Sequence, residues 1–141
     1  CVSPDTKRGA EDEPRLLQNG KALPQFLNLS SFAEQMLIHE HACVAIRKDM
    51  PFDRAALIGC SVTTGVGAVI HTSNVRPGET VAVIGCGGVG LSAINGAAIA
   101  GAGRIIAIDM VPGKENLAKA FGATDFICAA DTDQGRRAPR V

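Results

Sequence analysis

Thr80-Val81-Ala82-Val83-Ile84-Gly85-Cys86-Gly87-Gly88-Val89-Gly90 is a short β-branched run that ends in a G-x-G-x-x-G turn. The run lacks strict alternation of apolar and polar residues, as does a strand buried on both faces. Leu91 to Ala100 is rich in Ala and reads as a helix, and Arg104-Ile105-Ile106-Ala107-Ile108-Asp109 reads as a second buried strand. That strand ends in an acid 19 residues beyond Gly90. Strand, glycine turn, helix, strand and terminal acid in this order predict a βαβ unit that binds a dinucleotide. A P-loop needs Lys after its last glycine, and Leu91 stands there instead.

Each part of the pattern has a physical task. Gly85 permits the tight turn off the strand, Gly87 lets a diphosphate approach the backbone, and Gly90 lets the helix lie close to the strand. With Gly88 and Val89 they form the expected cofactor turn. The helix N-terminus offers free N–H groups and a partial positive charge to the diphosphate. Asp109 is placed to accept hydrogen bonds from the adenosine ribose hydroxyls, and its carboxylate repels a 2′-phosphate. The expected cofactor is therefore NAD rather than NADP. A bland glycine turn that merely packs a βαβ unit has no need of that acid.

Downstream, Lys114 to Phe121 reads as a short helix with Leu117, Ala118 and Phe121 on one face, closed by Gly122 at its C-cap. Asp125-Phe126-Ile127 starts a third strand. Lys114 falls near the ribose end, or is a solvated helix lysine. Upstream, Asn74-Val75-Arg76-Pro77-Gly78-Glu79 is a turn. Pro51 to Ile58 has the Pro, early Asp and apolar run of a helix start, and a second helix is expected over Thr64 to Ile70. Leu27 to Ile46 suggests an extended hairpin with a polar turn, and Cys1 to Pro24 a surface loop.

Charge is distributed unevenly. Of the 49 residues from Ala55 to Gly103, only Arg76 and Glu79 are charged, so the stretch is mostly buried or in a membrane. Val81 to Gly103 is 23 uncharged residues, long enough to span a bilayer, but seven are glycine and they cluster between two periodicities. A membrane span is set aside on that ground. Over the whole chain 14 basic residues balance 14 acidic ones, which leaves no electrostatic footprint for nucleic acid. The five cysteines are Cys1, Cys43, Cys60, Cys86 and Cys128, an odd number without a C-x-x-C pair, and they suggest a reducing cytoplasm. The first residue is Cys1, not Met, and the expectation is a piece of a longer protein.

The segments Leu57-Ile58-Gly59-Cys60-Ser61-Val62-Thr63-Thr64-Gly65-Val66-Gly67, Pro77 to Ser92, and Arg104 to Asp109 together resemble the zinc-dependent alcohol dehydrogenases of the medium-chain superfamily. The branch they resemble most includes the thiol-linked formaldehyde dehydrogenases, and the resemblance covers roughly Leu27 to Ile127. It implies an α/β chain: a partial Rossmann domain, a doubly wound parallel sheet, preceded by the end of a GroES-like β-rich catalytic domain. The implied division is 1–50 for the GroES-like part, 51–76 for a connecting helical segment, 77–130 for the first half of the Rossmann domain, and 131–141 for an uncertain tail.

The resemblance also implies roles. Cys60 matches the third protein ligand of the catalytic zinc, Thr64 a contact to the nicotinamide, and Val89 a residue packed on that ring. Zinc as a Lewis acid would polarise an alcohol or aldehyde substrate while NAD takes the hydride. Without the resemblance, Cys60 reads as a buried thiol. The family's first zinc ligand, proton relay and zinc-binding His have no counterpart here, and His39, His41 and His71 stand in the wrong places. Cys1 falls 59 residues before Cys60, about where the last cysteine of the family's structural-zinc loop lies, or is there by chance. The whole enzyme is implied to be a homodimer or homotetramer. The alternatives are a dinucleotide-binding module without catalysis and a zinc-free quinone reductase relative.

Overall fold

A computed structural model describes residues 12–23, 32, 34–36 and 38–130. The expectations for Cys1 and for the 131–141 tail lie outside the described residues. The chain divides into two compact units, Cys1–Asp49 and Met50–Val141.

In the first unit, Leu17–Gln18 (β1) and Lys21–Ala22 (β2) pair antiparallel, Leu17 opposite Ala22. Asn19 and Gly20 turn between them with φ of 52° and 75°. Two consecutive positive φ values are what an Asn-Gly hairpin turn provides. The surface-loop expectation for this stretch is thus corrected, and the Asn-Gly pair was the signal. The hairpin expected within Leu27–Ile46 is also corrected: the described part holds a single 3-10 turn, Glu40–Ala42, and no strand. The His39 ring accepts the His41 N–H at 3.2 Å, so a local side-chain bond takes the backbone donor a strand would have used.

The second unit begins with Pro51 as the N-cap of α1, Phe52–Leu57. A π turn at Ile58–Val62 leads into α2, Thr63–Gly67, and a second π turn, Ala68–Thr72, follows. The expected two helices are therefore one continuous helix, Phe52–Thr72. No proline interrupts it, and the π turns absorb its irregularity without breaking it. By length and composition alone this 21-residue helix is apolar enough to cross a membrane. The stretch weighed for that in the sequence, Val81 to Gly103, is instead strand, turn and helix.

Three parallel strands follow: β3, Thr80–Ile84; β4, Arg104–Asp109; and β5, Asp125–Cys128, in the order β3-β4-β5. Val83, Ala107 and Phe126 stand side by side, as do Ile84, Ile108 and Ile127. Helix α3, Gly88–Ile99, connects β3 to β4, and α4, Glu115–Ala120, connects β4 to β5. Leu91, Ile94 and Ala97 of α3 close over Val83, Ile105 and Ala107 to make the core, joined by Val69 from the long helix and Ala118 from α4. Gly122 follows α4 with φ +116°, as the C-terminal glycine reading expects. Among the described residues the outer edge of β3 is unpaired, and Ile84 is 84% exposed. A parallel edge that bare of charge is an aggregation hazard.

Candidate functional site

The glycine turn is built at the carboxyl end of β3. Gly85 leaves the strand with φ +92°, a conformation that side chains disfavour, and its N–H donates to the Ile108 carbonyl at 2.7 Å. A Cβ on Gly90 would stand 1.8 Å from the Gly85 carbonyl oxygen, so glycine there is demanded by the turn itself. Gly87 is different. Its φ is −86°, and a Cβ there would have no neighbour within 4 Å, so no protein contact demands glycine at this position. Gly87 is the N-cap of α3 and no side chain caps the helix, which leaves its first-turn N–H groups for water or a ligand.

Asp109 is wired into this turn from the neighbouring strand. Its Oδ2 accepts the Cys86 N–H at 2.7 Å and the Lys114 ammonium at 2.9 Å, and its Oδ1 accepts the Val111 N–H at 2.9 Å. The Asp109 side chain is 8% exposed and that of Lys114 36%. The Cys86 N–H, then Lys114, then the Val111 N–H hold the Asp109 carboxyl down to a pKa of about 2. Lys114 is thus paired with the acid at the expected place, not solvated alone. Burial, then the Asp109 charge, pushes the Cys86 thiol up, which leaves it an inert packing residue.

Because folding lowers the pKa of Asp109, its contribution to stability is present above the unfolded value near 4 and is lost as pH falls toward 2. Asp125, bonded by Arg104 and by the Thr124 hydroxyl, is lowered too and adds in the same direction. The expected result is an acid-unfolding transition below about pH 4. Circular dichroism followed from pH 6 to pH 2 checks it; unchanged stability across that range would contradict the wiring.

The Cys60 segment packs across the start of α3. Gly65 is buried, and a Cβ on it would stand 2.4 Å from the Val89 carbonyl. A Cβ on Gly88 would stand 2.8 Å from Ser61 Oγ. Cys60 sits in the π turn Ile58–Val62, where the Thr63 N–H and the Thr63 hydroxyl, the latter at 2.6 Å, both donate to the Ile58 carbonyl. Cys60 is exposed in this structure, contrary to the buried thiol that its type suggests, and no residue of its π turn is buried. Thr64 and Val89 are exposed as well. Nothing in the sequence spacing of Ser61 and Gly65 announces their approach to Gly88 and Val89, 27 and 24 residues away.

The structure therefore gathers Gly85, Gly87, Gly88, Val89 and Gly90 in one turn, bonds Asp109 to it with Lys114 on that carboxylate, and packs the Cys60–Thr64 segment beside it. Among the described residues no three His, Cys, Asp or Glu side chains come together in a way that could hold a metal ion. A lone thiol does not fit a four-coordinate zinc. The dinucleotide fits better: an uncapped helix start, an open space at Gly87 and an ionised acid at the end of β4 are the groups it needs.

No protein-family model matches the chain. It is 46% identical over 138 residues to an S-(hydroxymethyl)glutathione dehydrogenase of a Synechocystis species, covering 95% of this chain and 37% of that protein. It is 48% identical over 108 residues to the S-(hydroxymethyl)glutathione dehydrogenase of Saccharomyces cerevisiae, covering 77% of this chain and 28% of the relative. A solved alcohol dehydrogenase zinc-binding domain protein from Burkholderia ambifaria superposes with a TM-score of 0.72 at 42% identity, over 77% of this chain and 29% of that one. The chain spans about a third of the length of the relatives it matches. Parallel sheet, glycine turn and sequence identity agree: over the span it shares with these proteins, the chain belongs to the medium-chain zinc alcohol dehydrogenase family, in the branch of the glutathione-dependent formaldehyde dehydrogenases.

Proposed function

We propose that this chain is the cofactor-binding part of an NAD-dependent dehydrogenase acting on primary alcohols or S-hydroxymethyl thiol adducts. In this reading residues 77–130 carry the first half of a Rossmann domain, residues 51–76 connect to it, and residues 1–50 belong to the end of a GroES-like catalytic domain. The observation that carries it is the Asp109 carboxylate, held ionised at the end of β4 and bonded to the backbone of the glycine turn.

The chain's own residues divide the work. Gly87 leaves room for the diphosphate, and the free N–H groups of the first turn of α3 bind it. Asp109 accepts the ribose hydroxyls, with Lys114 steadying the carboxylate. Thr64 and Val89 face the nicotinamide end. NAD, when bound, accepts a hydride from the substrate carbon. Cys60 is proposed as one thiolate ligand of the zinc that the family name implies. The described residues do not complete that site, so no step of the reaction is derived through it. The reading places the protein in the cytoplasm, with the long apolar helix packed on α3 through Gly65 rather than in a bilayer.

Calorimetric titration with NAD and NADP tests the reading. Weak NAD binding is expected, at least about tenfold tighter than NADP, since the Asp109 charge repels a 2′-phosphate. Equal or tighter binding of NADP overturns the ribose assignment. The purified 141-residue chain is expected to form no NADH from alcohols or from formaldehyde–thiol adducts, because Cys60 stands alone among the described residues. That same observation favours a second reading, a dinucleotide-binding module without catalysis. Alcohol-dependent NADH formation by the pure, zinc-loaded chain would eliminate it.

A further inference from the structure

Among the described residues the buried polar or charged positions are Ser92 and Asp109, and both are bonded to the glycine turn. Asp109 accepts the Cys86 N–H from the neighbouring strand. Ser92 acts from within α3: its hydroxyl donates to the Gly88 carbonyl at 2.8 Å, one turn back along the helix. An α-helix directs the Ser92 N–H at that same carbonyl, so the Gly88 oxygen takes two donors from one residue. Ser92 is 6% exposed, and the long helix passes so close at Gly65 that a Cβ there would stand 2.6 Å from Ser92 Cβ. The hydroxyl is thereby held away from solvent. The Gly88 carbonyl and the Val89 N–H belong to one planar peptide unit. That N–H stands in the uncapped first turn of α3, where helix geometry gives it no partner within the helix.

We infer that Ser92 is a positioning residue for the diphosphate: it fixes the plane of the Gly88–Val89 peptide and, by drawing charge toward the Gly88 oxygen, makes the Val89 N–H a stronger donor. The inference rests on the cofactor reading above, in which the first turn of α3 binds the diphosphate. Hydrogen bonds that share a peptide unit polarise one another, each strengthening the next by about 10–30%. Against an anion the gain is larger, since bonds to charged acceptors are about twice as strong as neutral ones. Removing the hydroxyl leaves no buried group unpaired, because the Ser92 N–H still serves the carbonyl. Ala also suits a helix better than Ser does. Stability and affinity should therefore separate at this position.

The test is Ser92→Ala in the full chain, with ligands titrated into isotope-labelled protein and followed by amide NMR. NAD affinity is expected to fall about threefold, while the thermal midpoint stays within about 2 °C of the parent's. The Val89 amide should shift upfield before any ligand is added, since the carbonyl of its own peptide has lost a donor. ADP should lose affinity by the same factor as NAD, and adenosine, which has no diphosphate, should not change. Parent-like NAD affinity overturns the role. So does an equal loss for adenosine, which would mean that the whole site had moved. A lowered midpoint with an unmoved Val89 amide overturns it as well, and leaves Ser92 a packing residue. If the unmodified chain binds no NAD, the cofactor reading fails instead, and the Val89 shift alone still decides whether Ser92 polarises that peptide.

Discussion

Gly90→Ala is expected to cost the Met50–Val141 unit most of its stability. The added Cβ would stand 1.8 Å from the Gly85 carbonyl oxygen and 2.9 Å from its carbon. Both are backbone atoms, so no rotamer change relieves the overlap. Gly85 cannot yield easily either. Its N–H is bonded to Ile108, and its φ of +92° is already one that few residues adopt. Overpacking in a core commonly costs about 1–3 kcal/mol where side chains can adjust. Here only the strand and helix can move, and a loss above ~3 kcal/mol is expected from a total of roughly 5–15 kcal/mol. Urea unfolding followed by circular dichroism checks this. Gly87→Ala is the control: with nothing within 4 Å of its Cβ, it should keep the parent's midpoint and lose only cofactor binding. Equal midpoints for the Gly90 and Gly87 variants would show that the turn reshapes freely, and the close-packing account would fall.

Asp109→Asn is expected to abolish measurable NAD binding while leaving the sheet formed. The aspartate oxygens meet donors on both sides: the Cys86 N–H and Lys114 at Oδ2, and the Val111 N–H at Oδ1. An asparagine offers one oxygen and one NH2 group. Whichever way it turns, a donor faces a donor. The variant loses a charge-assisted bond to the ribose, worth about 1.5–3 kcal/mol, which is roughly a 10- to 100-fold loss of affinity. It also releases Lys114. The acid-unfolding transition below about pH 4 should become shallower in this variant, since the depressed Asp109 carboxyl no longer contributes to it. Parent-like affinity for NAD in Asp109→Asn would place the ribose elsewhere.

The two variants show which parts of the molecule a linear reading reaches. The strands at Thr80 and Arg104, the helix between them, the Asp109 terminus and the third strand at Asp125 were all legible, because each is a local pattern of periodicity and punctuation. The Asn19-Gly20 turn is equally local: two adjacent residues that accept positive φ are enough to mark it. The continuity of the Phe52–Thr72 helix was less legible. Glycines at 59, 65 and 67 look like breaks in a sequence, whereas two π turns let the helix pass through them.

By itself, then, the sequence determined the βαβ order and the place of the cofactor turn, because turn chemistry and strand periodicity act over a few residues. The motif already assigned Gly85, Gly87 and Gly90 different tasks at that level. The tertiary structure supplied the contacts behind them: a positive φ at Gly85, a carbonyl against Gly90 and open space at Gly87. It also decided that Lys114 is bound to Asp109, and that Cys60 lies exposed on a widened turn. The physical reason is the same in each case. Steric exclusion and charge pairing depend on distance in space, and residues far apart in the chain become neighbours only when the fold has closed.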